Sequence, residues 1–187
     1  MAMSQPERYW TADDLADLPD DGNRYEVIDG VLYVTPSPVD EHQDAADELM
    51  SLLRPYAKAV GLHVRSAPTA VRFSGAREVQ PDLVVIPRIA GVTKPPAFRD
   101  VGRLELAVEV LSPSTARVDR GRKRALYQEQ GVAEYWIVDA AARTVERWRH
   151  ESVEPEILRN SLTWQPVAGR DALEIDLVEY FRQIWGD

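Results

Sequence analysis

Residues 104–140, LELAVEVLSPSTARVDRGRKRALYQEQGVAEYWIVDA, constrain the fold more than any other stretch of the chain. LELAVEVLS and AEYWIVDA are nearly all apolar outside their acidic members, as expected of strands covered on both faces. Between them Val118 to Gln130 reads as a helix, and Gly131 is placed to cap its C-terminus. Strand, helix and strand in that order require a parallel crossover, and hence an α/β architecture. Glu105 and Glu109 break the first apolar run. Alternation puts both on one face with Ala107, and Leu104, Leu106, Val108 and Val110 on the other. Glu105 can lie near the strand's wet end, whereas Glu109 sits deep in it and needs a partner.

The rest of the chain fits around that unit. Thr11 is placed as N-cap of a short helix, ADDLADL, that PDDGN ends. RYEVIDGVLYVTPSP reads as two strands joined by a tight turn at Asp29-Gly30. From Asp40 to Val60 the residues Ala45, Leu49, Leu52, Leu53 and Tyr56 recur at helical spacing, and Gly61 follows as a cap. LHVRSAPTAVRF and VQPDLVVIP are strand-like, and GVTKPPAFRDVG reads as an exposed loop. TVERWRH and SLTWQPV suggest a peripheral strand or two, and LEIDLVEYFRQIW a closing helix. No repeat or linker interrupts the 187 residues, which predicts one domain over 1–187 with residues 1–7 as a flexible start.

The chain has no cysteine, so a metal can be held only by oxygen ligands or by the three histidines, which favours hard divalent cations. No basic start precedes an apolar stretch and no eighteen apolar residues run together, which predicts a soluble, cytoplasmic protein that does not enter membranes. The net charge of -9 opposes binding to a polyanion. Its distribution is uneven, however: -11 over residues 1–50, +7 over 51–130 and -5 over 131–187. The basic middle is either a cationic face or a set of solvated charges.

Asp82, after Pro81, stands at the head of LVVIP, and Glu109 lies inside LAVEVLS. A carboxylate in a covered strand recovers its lost hydration only from a cation, a donor or a proton. If the two strands are neighbours, both acids meet at one end of the sheet as an oxygen-rich site for Mg²⁺ or a similar ion, which suits phosphodiester chemistry. Lys123 shares a helix face with Asp119 and Tyr127 at four-residue spacing, close behind the strand's exit. It is either the cation such a site needs or an ordinary solvated lysine beside Arg120, Arg122 and Arg124.

YEVIDGVLYVTPSPVDEHQ, VQPDLVVIP and LAVEVLSPSTARVDRGRKRALYQEQGVAEYWIVD together resemble the Uma2 family of endonucleases, within the PD-(D/E)xK restriction-endonuclease-like superfamily. The likeness covers about residues 8 to 181, and its most specific part runs from Glu109 to Asp139. It implies a mixed central β-sheet flanked by helices, with Mg²⁺ or Mn²⁺ held by Asp82 and Glu109. The superfamily's lysine falls two residues after the second acid, where this chain has Leu111; the resemblance places Lys123 in that role instead. Glu26 in YEVIDG resembles an acid that the superfamily sets beside the metal, or is a glutamate exposed on a hairpin edge. His42 in DEHQ matches a histidine of the family, positioned to bond a carboxylate or move a proton, or is exposed at a helix start.

Ser112 and Ser114 read as a strand exit, with contact to a substrate phosphate as the other possibility. Tyr127, Tyr135 and Trp136 read as core, and His63 and His150 carry no assignment. The resemblance implies a metal-dependent endonuclease of DNA, and a homodimer, since two strands need two sites. The displaced lysine and acidic total keep two alternatives open: a nuclease fold retained for binding or assembly, or a hydrolase of small phosphate esters.

Overall fold

The computed structural model describes residues 8–36, 40–88 and 103–187. The expected flexible start and the loop GVTKPPAFRDVG lie outside these residues. The crossover is present: β7 (Leu106–Val110) and β8 (Glu134–Asp139) pair in parallel across a helical connection. They occupy the middle of a mixed sheet of six strands, ordered β10-β9-β8-β7-β6-β3, in which the other pairs are antiparallel. Here β3 is Leu62–Ser66, β6 Leu83–Pro87, β9 Thr144–Arg149 and β10 Glu156–Leu158.

A second sheet, ordered β2-β1-β5-β4, holds β1 (Arg24–Ile28), β2 (Val31–Thr35), β4 (Val71–Ser74) and β5 (Arg77–Val79). Asp29 and Gly30 turn β1 into β2 with φ of 53° and 80°, the double positive φ that the Asp-Gly pair favours. One face of the six-stranded sheet packs Leu106, Val108, Val110, Leu83 and Val85 against α1 (Asp40–Ala59), α4 (Leu177–Trp185) and the ribbon of β11 (Ser161–Trp164) and β12 (Leu173–Asp176). On the opposite face Val84, Ile86, Ala107 and Ile137 meet Ile28, Val71 and Val79 of the small sheet and Leu126 and Tyr127 of the helical connection. Alternation along β7 therefore aims Ala107 and Glu109 into the space between the two sheets.

Several boundaries differ from the sequence reading. LHVRSAPTAVRF is two strands in two sheets, β3 and β4, parted at Pro68, which has no amide N–H for a ladder. VQPDLVVIP likewise divides at Pro81, Val79 ending β5 and Leu83 starting β6, so Asp82 stands just ahead of its strand. The helical connection starts at Ala116 rather than Val118. It runs as α2 (Ala116–Val118), a π-helical stretch (Asp119–Lys123) and α3 (Arg124–Glu129), with Gly131 at φ 68° behind it. The short helix near Thr11 is a 3₁₀ turn, Asp14–Asp17, with the Thr11 amide donating to Asp14 Oδ2 at 2.8 Å.

LEIDLVEYFRQIW is not one helix. Leu173–Asp176 pairs with β11, and α4 starts only after Asp176, whose Oδ1 accepts from the amides of Val178 (2.9 Å) and Glu179 (3.1 Å). Beyond that cap, Leu177, Tyr180, Phe181 and Ile184 are buried on one stripe. Tyr180 also donates its hydroxyl to the Ala45 carbonyl at 2.8 Å, which ties α4 to α1. Among the described residues no helix is long and apolar enough to cross a membrane.

Removing the Asp176 cap leaves two α4 amides without their acceptor. Asp176→Ala is expected to lower the unfolding free energy by about 1 kcal/mol. Urea denaturation checks this, and an unchanged midpoint would show that α4 does not depend on the cap.

Candidate active site

The register of β6 and β7 pairs Leu83 with Val108, so Asp82 and Glu109 are the next residues out at the same end. Both are almost fully buried, and both line a cleft of about 250 Å³ together with Arg24, His42 and the Ser112–Thr115 turn. Asp82 is held by three donors. Arg24 Nη2 lies 2.8 Å from Oδ1, while His42 Nε2 (3.1 Å) and the Val110 amide (2.8 Å) meet Oδ2. Burial works to raise the Asp82 pKa, but His42, Arg24 and the Val110 amide outweigh it and hold the carboxyl at about 2. Asp82 is a fixed anion.

Glu109 has a different environment. Its Oε1 accepts from Lys123 Nζ at 3.0 Å and from the Tyr127 hydroxyl at 3.1 Å. Burial pushes this carboxyl well above the usual range; Lys123 pulls it down, and the charges of Asp119, Asp82 and Glu26 add to the rise. Lys123 is buried, which excludes the solvated-lysine reading. Its ammonium lies 2.9 Å from Glu26 Oε1 and 3.7 Å from Asp119 Oδ1 as well. Burial would strip the proton from such a lysine, but Glu109, Glu26 and Asp119 together keep it charged.

Glu26 is 2 % exposed, so it is not a hairpin-edge residue; its Oε1 also accepts from the Gln80 amide at 2.7 Å. His42 sits in the first turn of α1 and turns inward onto Asp82 rather than to solvent. The structure thus brings Asp82, Glu109, Lys123, Glu26 and His42 together. Ser112, Ser114 and Thr115 bond one another through their hydroxyls at 3.0 Å, the self-contained strand exit that the sequence suggests. Tyr127 packs in the core as expected and also serves Glu109.

Arg24 is the site residue that sequence reading missed. The signal was present: Arg24 lies two residues before Glu26 on β1, hence on the same face. Asp119, 1 % exposed, has no hydrogen-bond partner for either carboxylate oxygen.

Four carboxylates (Glu26, Asp82, Glu109, Asp119) face two permanent cations (Arg24, Lys123) in a buried space, and the excess of acid shows in the burial-raised pKa of Glu109 and of Asp119. The donors are all hard oxygens, and the Asp119 carboxylate, ion-paired to Lys123, accepts no hydrogen bond. These carboxylates are not a ready-made cluster: among the described residues no group of three or more His, Cys, Asp or Glu side chains is arranged to hold a metal ion. Such a set suits an open site of the Mg²⁺ kind, in which the protein gives one or two carboxylates and water or phosphate gives the rest.

The ammonium of Lys123 holds three elements to one another, because Glu26 comes from the small sheet and Glu109 from the large one. Lys123→Met leaves those acids without a buried cation and is expected to cost about 3 kcal/mol of stability. Adding Glu26→Gln to that variant should restore part of the loss. Urea unfolding of both variants tests this; a Lys123→Met midpoint equal to that of the wild type would contradict it.

A family model described as "Putative restriction endonuclease", Uma2, matches residues 12–177. A solved structure similar to this chain is that of "a putative nuclease belonging to DUF820" from Anabaena variabilis. It is 19% identical, with a TM-score of 0.73 over 93% of this chain and 98% of that one, and so shares the fold. The comparison with curated proteins returned no match. With the family model spanning most of its length, the mixed-sheet chain described above belongs to the Uma2 family of restriction-endonuclease-like proteins.

Proposed function

We propose that this protein is a divalent-metal-dependent endonuclease that hydrolyses DNA phosphodiester bonds. The observation that carries the reading is the meeting of Asp82 and Glu109, from adjacent strands, on one cleft with a buried lysine against Glu109. Asp82 and Glu109 would hold Mg²⁺ or Mn²⁺ at the cleft, with Glu26 and Asp119 adding negative charge behind them. When bound, the ion polarises the phosphoryl group, acidifies an attacking water and neutralises charge on the leaving oxygen.

The chain's own groups do the rest. Lys123, charged and fixed by its acids, orients the water and offsets charge on the phosphoryl oxygens. Arg24 and the Val110 amide keep Asp82 ionised and pointed at the cleft. His42, bonded to the same carboxylate, would assist proton transfer at the cleft. Cutting both strands of a duplex takes two such sites, which a homodimer supplies.

A second reading has one observation behind it: Arg24 and Lys123 already neutralise Asp82 and Glu109 in part. On that reading the nuclease fold serves binding or assembly and has no use for an ion.

Purified protein with Mg²⁺ or Mn²⁺ should nick supercoiled plasmid. Asp82→Asn and Glu109→Gln should each slow nicking by roughly a hundredfold or more, as expected on losing a group that stabilises the transition state. Nicking by both variants at the wild-type rate would end the catalytic reading. Absence of nicking, with no millimolar-or-better Mn²⁺ affinity by calorimetry, would favour the assembly reading.

A further inference from the structure

A groove of about 470 Å³ runs along β3, the edge strand of the six-stranded sheet. Consecutive residues Leu62 to Ser66 line it, both faces of the strand in turn, so it follows the strand's free edge. Arg54 and Lys58 enter it from the last turns of α1, Arg65 from β3, and Arg88 from just beyond β6. Among the described residues no acidic side chain lines it. In a chain of net charge -9, this is a concentrated cationic face within the basic middle third.

Structural needs account for part of this charge only. Lys58 suits the negative end of the α1 dipole. Arg88 donates Nε to the Leu62 carbonyl at 3.2 Å, which fixes its stem. Neither need explains why Arg54 faces the same groove. His63 stands among them, its pKa lowered by burial and by Arg65, Arg88 and Arg54, and presents a neutral ring.

The groove also leads somewhere. Ser66 borders both it and a middle cavity of about 320 Å³, whose wall includes Arg24, His42 and Asp82. Those same three residues line the cleft that holds Glu109. A track of cavities therefore runs from the edge of the sheet to the two strand acids. The stretch from Leu62 to Ser66 spans roughly 13 Å at strand rise, comparable to three or four phosphates of one strand at about 3.4 Å each along a duplex axis.

We infer that Arg54, Lys58, Arg65 and Arg88 form the seat of a phosphodiester backbone, gripping the nucleic-acid strand on one side of the bond presented to Asp82 and Glu109. The inference rests on the nuclease reading for its substrate. It explains how an acidic protein takes a polyanion: contact is confined to one cationic groove, and the acidic surface elsewhere repels other poses. The contacts are to the backbone, so this part of the molecule reads charge and spacing rather than sequence.

The test is binding of fluorescent DNA and RNA oligonucleotides to the full chain, read by anisotropy in EDTA across a salt series. Arg54→Glu/Lys58→Glu, both exposed on α1, is expected to weaken binding at least roughly tenfold and to lower the salt slope by about two. Arg159→Glu/Arg170→Glu makes the same change of net charge at exposed positions outside the groove and should leave the affinity within about threefold. Comparing the DNA and RNA arms identifies which polymer uses the seat.

Wild-type affinity in the groove variant, or an equal loss in the control pair, would overturn the inference. Binding in EDTA is independent of cleavage. Groove-dependent binding without plasmid nicking would therefore sink the catalytic reading alone, and nicking by a groove variant of wild-type affinity would sink the groove alone.

Discussion

The buried ammonium of Lys123 between the carboxylates of Glu26 and Glu109 is the contact on which the rest of the structure turns. At about 3 Å and an effective dielectric near 20, each such pair is worth roughly 5 kcal/mol of attraction, against several kcal/mol per ion to take the charges out of water. The sum is small. Removing any one partner is not, because the others are then left charged in a dry space. The small sheet, the large sheet and the helical connection are consequently held in one arrangement by a group whose net contribution to stability is modest. That arrangement sets Asp82 and Glu109 on the same cleft, and a site of carboxylates needs this enforced proximity because the acids repel one another.

How the chain achieves this was partly legible from its residues. Period-two alternation assigned Glu109 to a face opposite Val108 and Val110, and that face is the one turned toward Lys123. The Asp29-Gly30 turn and the β7–helix–β8 crossover followed from local chemistry alone. The cation from the helix was harder to place. By spacing Lys123 was one of several basic residues, and only tertiary burial separates it from Arg122, which faces solvent. The π-helical stretch that carries Asp119 and Lys123 also had no periodic signature, though Gly121 within the helical run marks a weak point in it.

Other misreadings have equally local causes. Pro68 and Pro81 each divide a strand-like run because neither can donate to a ladder, and the pieces pass to different sheets. The apolar residues of LEIDLVEYFRQIW satisfy a helical pattern throughout. Asp176 followed three residues later by Glu179 has the form of a helix start, and it places the boundary where the structure does. The cationic groove lay beyond any local rule, since Arg54, Arg65 and Arg88 are separated in sequence and meet only when α1, β3 and β6 pack. The +7 charge of the middle segment hinted at such a face without locating it.

Anion, cation and cleft thus form one system: Asp82 kept ionised, Glu109 kept dry, and a cationic groove along the edge strand that borders the cavity leading to them. The central claim is that the two strand acids share an ion. Crystals of the full chain soaked in Mn²⁺ and measured at the manganese absorption edge test it most directly. The account predicts an anomalous peak between the carboxylates of Asp82 and Glu109. A clean map at full Mn²⁺ occupancy elsewhere, or a peak that neither acid touches, would contradict it.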